Sequence, residues 1–243
     1  MELSARLNAK GRIRARIRTR MYYSQQHIQS AALFTRQSYQ IESDYNGTPL
    51  NELIVEHRSY VTGAIFAAVS FLESTINELF SDTVDHPDGD LASHLDSSTK
   101  LLMADMWKLR IPKTATYPII DKYQIALTLA RKALFDTEQA LWKDVKTLIV
   151  LRNALIHYEP VWTSQKEEGQ AYKGILSLKQ QKKFALNPLI TGQFNPFFPD
   201  KCLSHGCARW AVNTSVQFVQ EFFSKMGIPV LFDHIKPLLK TEP

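Results

Sequence analysis

Residues 135–160, FDTEQALWKDVKTLIVLRNALIHYEP, carry the clearest helical pattern in this chain. Asp136 and Thr137 are residue types that cap helix N-termini, and Pro160 cannot continue a helix. When the segment is placed at about 100° per residue, its apolar side chains form one stripe, which predicts an amphipathic core helix over residues 136–160. The stripe consists of Leu141, Val145, Leu148, Ile149, Leu155 and Ile156.

Arg152 falls in the middle of that apolar stripe. An unpaired buried charge costs several kcal/mol, so the guanidinium must either reach solvent or bond a buried acceptor. Glu73, at the margin of another apolar stripe, is a candidate acceptor, and the alternative is that Glu73 extends to solvent. Asn153 and His157 are four residues apart and share a different face, next to the polar side of the helix.

The segment from Arg152 to Tyr158, RNALIHY, resembles the Arg-Asn-x-x-x-His signature of the HEPN superfamily, the higher eukaryote and prokaryote nucleotide-binding domains. Members of that superfamily are all-α domains, and many are dimeric, metal-independent ribonucleases whose motif lies near the end of a late core helix. The resemblance extends over about residues 50–226, and its specific part is the motif. It implies an endoribonuclease of the toxin or defence kind.

Three functions are needed to cut RNA without a metal. One group deprotonates the 2′-hydroxyl, one stabilises the phosphorane and one protonates the leaving 5′-oxygen. An imidazole acts as base or acid near neutral pH, and a guanidinium offers donors that match phosphate oxygens. The candidate catalytic residues are Arg152, Asn153 and His157, and the candidate supporting residues are Glu73, Asn77 and Tyr158.

Arg152 and His157 are separated by about 140° around one helix, so a single helix does not aim both at a small target. In HEPN ribonucleases two motif helices meet across a two-fold axis. The resemblance therefore implies a homodimer, with His157 of one chain beside Arg152 of the other. The expected partners are RNA, a second copy of the chain, and an antitoxin or other regulatory protein. No cofactor and no metal are expected.

The alternative is a non-catalytic HEPN-like helical module that serves dimerisation, nucleotide or RNA binding, or protein interaction. Many such modules lose the Arg or the His, and this chain has both, which favours the ribonuclease. A plainer alternative is that Arg152 bridges to Glu73 and His157 caps a carbonyl group at the helix end, so that both only stabilise the bundle.

Composition narrows the class of protein. Two cysteines among 243 residues predict a reducing compartment without a disulfide framework. The N-terminus is polar and basic, unlike a secretory signal, and no run of about 18 apolar residues predicts a transmembrane helix. We therefore expect a cytoplasmic protein that does not contact a membrane. The chain has nine glycines and neither a Walker A nor a Gly-x-Gly-x-x-Gly motif, which argues against P-loop and Rossmann folds.

Basic side chains concentrate in residues 10–20, KGRIRARIRTR, whose six positive charges exceed the net charge of +5. The arginines recur at every second position, which places them on one side of an extended strand but scatters them around a helix. Arg16 and Arg18 are candidate contacts for RNA phosphates. The alternatives are a solvated terminus and an edge strand kept soluble by charge.

A second basic segment follows the motif helix. Two β-prone runs between residues 172 and 186 flank KQQKK at residues 179–183, which predicts a small β-hairpin with a basic tip. Lys182 and Lys183 in that tip are further candidate RNA contacts, and the alternative is a solvated tip.

Two segments invite a metal interpretation that their spacing does not support. The turn from Asp85 to Asp90 does not match an EF-hand loop. Cys202, His205 and Cys207 lack an evident fourth zinc ligand.

The predicted fold is all-α, an up-down bundle of five or six helices with a basic N-terminal arm and a partly irregular insertion after the motif helix. The predicted helices cover about residues 22–42, 51–81, 98–110, 121–135, 136–160 and 207–226. The predicted organisation is an arm at 1–48, a HEPN-like domain at 49–227 with an insertion at 160–204, and a tail at 228–243.

Overall fold

The computed structural model describes residues 2–7, 13–47, 50–112, 117–160 and 172–243, with side chains for all of these except residues 2–7 and 13–18. The described part contains seven α-helices, which confirms the all-α class. They are α1 (Ser24–Asp44), α2 (Asn51–Asp85), α3 (Ser97–Lys108), α4 (Ile119–Leu129), α5 (Ala140–Ile156), α6 (Lys173–Gln180) and α7 (His205–Met226). Short helical turns cover Ala92–His94, Phe197–Lys201 and Asp233–Leu239.

The N-terminal segment forms an antiparallel ribbon of two strands, β1 (Glu2–Leu7) and β2 (Ile13–Arg18). Glu2 pairs with Arg18 at one end of the ribbon, and Leu7 pairs with Ile13 at the other. The backbone of β2 is therefore extended, which is one of the two conformations that the alternating arginines allow.

Helix α2 lies at the centre of the bundle and contacts α1, α3, α4, α5 and α7. Its apolar side chains recur at helical spacing, and one stripe of them is completely or almost completely buried. The stripe consists of Val61, Ile65, Val69, Leu72, Ile76 and Leu79. By length and hydropathy α2 is the one helix in the described part that could cross a membrane, although half of its most apolar window is buried by the other helices.

Helices α1 and α2 form an antiparallel hairpin that is held by polar contacts at both ends. At the start of α1, the Ser24 hydroxyl donates to Glu78 Oε2 over 2.6 Å. At its end, Glu42 Oε1 lies 2.8 Å from His57 Nε2 and accepts from the backbone N–H of His205 over 2.6 Å. The same carboxylate therefore joins α1, α2 and the first residue of α7.

The connection between α4 and α5 corrects two predicted helix boundaries. Helix α4 ends at Leu129 rather than at 135, and α5 begins at Ala140 rather than at 136. The Gln124 side chain bonds both backbone groups of Phe135, which satisfies them without a helix. The Phe135 ring stacks on Phe218 at 4.5 Å, so the connection is fixed by packing that sequence periodicity does not encode.

The β-hairpin predicted between residues 172 and 186 is wrong, because residues 173–180 form the helix α6. Ile175 and Leu178 are three positions apart and both are buried. A helix, unlike a strand, places residues at that spacing on one face. Helix α6 packs against α5, and this tertiary contact outweighs the local β propensity.

Burial of α5 can be tested by matched truncations. Leu148→Ala should lower the free energy of unfolding by about 2–5 kcal/mol, because it removes a buried side chain and leaves a cavity. Leu102→Ala, the same change at an exposed position of α3, should lower it by less than about 1 kcal/mol. Urea unfolding followed by circular dichroism measures both, and equal losses would contradict the orientation of α5.

Candidate functional site

The C-terminal half of α5 places Arg152 on the side of the helix that faces the bundle. Val145, Leu148 and Leu151 on this side are buried, and Arg152 lies between Val145 and Leu148 in projection and is partly buried. The Nε atom of Arg152 is buried and has no hydrogen-bond partner among the described residues. The predicted position of this charge on the apolar face is therefore found, and its partial exposure fits a side chain that extends toward the surface.

Asn153 and His157 lie on a different side of the helix, and both are exposed. The backbone N–H of His157 donates to the Asn153 carbonyl oxygen over 2.8 Å, which closes the last turn of α5. Within the described residues no hydrogen bond is seen to the His157 imidazole. The structure thus brings Asn153 and His157 together and separates them from Arg152 of the same chain.

Two residues on this exposed side, Lys146 and Val150, were missed by sequence reasoning. Lys146, Val150, Asn153 and His157 are all exposed, and they recur at intervals of four, three and four residues. That spacing puts them on one helical face over about 16 Å. We call these four residues the exposed α5 stripe. Their spacing can be read from the sequence, but the exposed Val150 is apolar and interrupts the polar pattern that would reveal it.

Tyr158 lies just beyond the end of α5, in an aromatic cluster. Its ring is 6.2 Å from the Phe198 ring, which is in turn 4.6 Å from the ring of Tyr172. The Tyr172 hydroxyl donates to the Glu159 carbonyl oxygen over 3.1 Å. Burial raises the pKa of Tyr172, and the neighbouring Tyr158 and Glu159 raise it further, so its phenol stays protonated. The cluster anchors the segment that follows His157.

Glu73 and Asn77 meet at a buried lysine rather than at Arg152. The ammonium of Lys122, which is 1% exposed, lies 3.0 Å from Glu73 Oε1 and 3.3 Å from Asn77 Oδ1. An ammonium buried this deeply requires such acceptors. The predicted bridge between Glu73 and Arg152 is therefore not formed, and the role seen for both supporting residues is to hold α4 against α2.

The two candidate lysines after α6 have different environments. The Lys183 ammonium pairs with Asp144 of α5 over 2.8 Å, and both side chains are partly buried. Lys182 is exposed and has a φ of +49° at the turn after α6. The basic segment thus lies beside α5, although one of its charges is already neutralised. The side chains of Arg16 and Arg18 lie outside the described residues.

The part of the chain with described side chains contains no group of three His, Cys, Asp or Glu residues arranged to hold a metal ion. Cys202 and Cys207 are buried and form no disulfide, and burial raises the pKa of the Cys207 thiol. Comparisons with protein-family models, with curated proteins and with solved structures gave no match.

Substitution of Arg152 tests its position on the buried face. Arg152→Met should leave the free energy of unfolding unchanged or raise it by about 1–2 kcal/mol, because an apolar chain replaces a partly desolvated charge. Arg152→Ala should lower it by about 1–3 kcal/mol, because packing of the stem is lost. Chemical unfolding measures both, and an equal loss in the two variants would mean that the guanidinium has a partner.

The contact between Glu73 and Lys122 should be important for stability. Glu73→Ala should lower the free energy of unfolding by about 1–3 kcal/mol, because the buried ammonium loses its charged acceptor. Replacing Lys122 by Met in the same chain should restore most of that loss. Glu138→Ala, which breaks the exposed pair with Lys143, is the control and should cost less than about 1 kcal/mol.

Proposed function

We propose that this protein is a metal-independent endoribonuclease of the toxin or defence type. The observation that carries the proposal is the exposed α5 stripe. Asn153 and His157 stand at the open end of the helix, and Lys146 stands about two turns before Asn153 and three before His157. A cation, an amide and an imidazole along one helical face suit a phosphodiester backbone. The resemblance of residues 152–158 to the HEPN motif supports the same chemistry.

In the proposed reaction, the 2′-oxygen of one nucleotide attacks the adjacent phosphorus, and the bond from phosphorus to the 5′-oxygen breaks. The products are a 2′,3′-cyclic phosphate and a free 5′-hydroxyl. His157 moves a proton, either from the attacking hydroxyl or to the leaving oxygen. Asn153 orients the phosphate or a ribose hydroxyl, and Lys146 attracts the strand through its charge.

A second copy of the chain is part of the proposal, because Arg152 faces the bundle and His157 faces solvent on the same helix. A two-fold arrangement of α5 helices brings residues of both copies to one cleft. Val150 within the stripe, and Ile156 and Tyr158 next to it, are exposed apolar side chains that offer contacts for such a dimer. An enzyme that cuts cellular RNA acts in the cytoplasm and needs control, for which we propose an antitoxin or other regulatory protein.

The second candidate function is a non-catalytic helical module that binds RNA, a nucleotide or another protein. It is favoured by the position of Arg152, whose Nε is buried on the face opposite to His157. In this case Arg152 only stabilises the bundle, and the exposed α5 stripe is a binding surface that catalyses no reaction.

Removal of the imidazole separates the two functions. Wild-type protein in EDTA should cut a mixed RNA substrate and leave 2′,3′-cyclic phosphate ends, whereas His157→Ala should be slower by about 100-fold or more. RNA binding by that variant should persist, since the phosphate contacts remain. The rate is measured on end-labelled RNA, with the dimer confirmed by analytical ultracentrifugation.

The matched control is His94→Ala, which removes another exposed imidazole, at the end of the Ala92–His94 turn, and should leave cleavage unchanged. Lys146→Ala should weaken RNA binding and reduce its salt dependence, because one phosphate contact is lost. Absence of cleavage by the dimeric wild type would reject the ribonuclease and favour the binding module.

A further inference from the structure

A cavity of about 270 Å³ lies between the start of α1, the C-terminal half of α2 and the segment that follows α7. One wall is aromatic and aliphatic, the rest of the lining is polar, and we call the cavity the aromatic chamber. The apolar wall consists of Tyr22, Phe71, Leu91, Phe223, Leu231 and Phe232. The ring of Phe232 lies 5.6 Å from that of Phe71 and 6.4 Å from that of Phe223, which fixes the shape of this wall.

A wider polar cleft of about 870 Å³ adjoins the chamber, and we call it the outer cleft. Tyr22, Glu78 and Asp90 line both spaces, so they stand where the two meet. A concave apolar site with a few convergent polar groups is the usual form of a small-molecule site.

Glu78 has an unused acceptor position at this junction. Its Oε1 accepts the backbone N–H groups of Tyr23 and Ser24 over 2.7 and 2.9 Å, and its Oε2 accepts the Ser24 hydroxyl over 2.6 Å. A carboxylate offers about four acceptor positions, and these contacts occupy three, so one on Oε2 is left among the described residues. Burial raises the pKa of Glu78, against the opposing effect of the Ser24 hydrogen bonds, and a nearby cation would favour its ionised form.

The charge of the two spaces selects the kind of ligand. Three carboxylates, Glu78, Asp85 and Asp90, line them, and Arg20 is the one Lys or Arg among their described lining residues. Arg20 is already bound to the buried Asp82 over 2.7 Å and lies 3.4 Å from Asp85, so Glu78 and Asp90 are the lining carboxylates that it does not pair with. Burial and the neighbouring Asp82 raise the pKa of Tyr22 to about 12, so the phenol adds no charge. The imidazoles of His86 and His234 complete the ionisable lining, in which carboxylates outnumber Lys and Arg. The site is therefore acidic, although the chain as a whole has a net charge of +5.

We propose that the aromatic chamber and the outer cleft bind a small organic cation, an amine whose apolar body enters the chamber and whose ammonium group bonds Glu78. The ring faces of Phe71 and Phe232 suit an apolar body next to a positive charge. The carboxylates repel phosphates and other anions, which separates this site from the RNA-cutting function proposed for α5. None of the residues of the exposed α5 stripe lines either space.

The probes that test this proposal share one ring and differ in charge: 2-phenylethylamine, 2-phenylethanol and phenylacetate. Calorimetric titration of the whole protein should show the amine binding at least about tenfold more tightly than the alcohol, because a charge-assisted hydrogen bond is added. Phenylacetate should not bind. Equal binding of amine and alcohol, or no binding of the amine at millimolar concentration, would overturn the proposal.

Two variants locate the binding. Glu78→Gln keeps an acceptor for the backbone N–H groups and should remove the preference for the amine, whereas Asp88→Asn, an exposed acid in the same region outside the lining, should preserve it. Leu231→Trp should fill the chamber and abolish binding of the amine. If Glu78→Gln does not fold, Leu231→Trp and the three wild-type titrations test the proposal instead. An unchanged amine affinity in Leu231→Trp would place the ligand elsewhere and overturn the proposal.

Nα-acetyl-lysine amide tests whether the amine is a small molecule or a lysine side chain of a peptide, because it carries an ammonium group on an unbranched chain. The aromatic wall predicts weaker binding of this probe than of 2-phenylethylamine. Tighter binding than 2-phenylethylamine, with loss in Glu78→Gln, would overturn the small-molecule assignment and assign the site to a lysine side chain of a peptide.

Discussion

The structure depends on covering the apolar surface of α2. This helix has 35 residues, and its stripe from Val61 to Leu79 is removed from water by helices that arrive from several directions. Each fully buried large apolar side chain contributes about 1.5–3 kcal/mol to the free energy of unfolding, so the stripe is the main stabilising feature of α2. Helices α1, α4, α5 and α7 are placed by the need to cover it, and the functional surfaces are what those helices leave exposed.

Apolar burial is not directional, so polar contacts at the edges of α2 set the position of each partner helix. Glu78 fixes the start of α1 through Ser24, and Glu73 fixes α4 through Lys122. At the other end of the hairpin, Glu42 joins His57 of α2 to the start of α7. Because these carboxylates pair with groups far away in sequence, a small shift of any partner helix would leave a buried polar group unsatisfied.

Sequence periodicity predicted the existence of six helices and the burial of the α2 stripe, because both follow from the spacing of apolar residues along one segment. The start of α5 was not predictable in this way. Asp136 is a good capping residue, but its carboxylate bonds the nearby backbone N–H of Glu138, and the helix begins four residues later. The helix α6 was likewise missed, since packing on α5 decides the conformation of residues 173–180.

In the candidate site too, local spacing was predictable from the sequence and tertiary contacts were not. The position of Arg152 on an apolar face was predictable, because the angle between two residues of one helix is fixed by their separation. The partner of Glu73 was not, because any cation brought close by the fold could take it, and Lys122 of α4 is the one that is buried beside it. Local geometry can be calculated from the sequence, whereas the choice between competing long-range partners requires the assembled bundle.

The two faces of α5 impose a constraint on any chemistry at its end. Leu148 and Leu151 are buried on one side, so the helix cannot rotate to expose Arg152 without uncovering them. His157 lies on the other side, where no described contact restrains its imidazole. A site that needs both a guanidinium and an imidazole must therefore recruit one of them from outside a single chain, or extend Arg152 around the helix at the cost of its packing. The proposed dimer takes the first route, and it requires the partly exposed Arg152 of each copy to extend past the edge of its own apolar face toward the shared cleft.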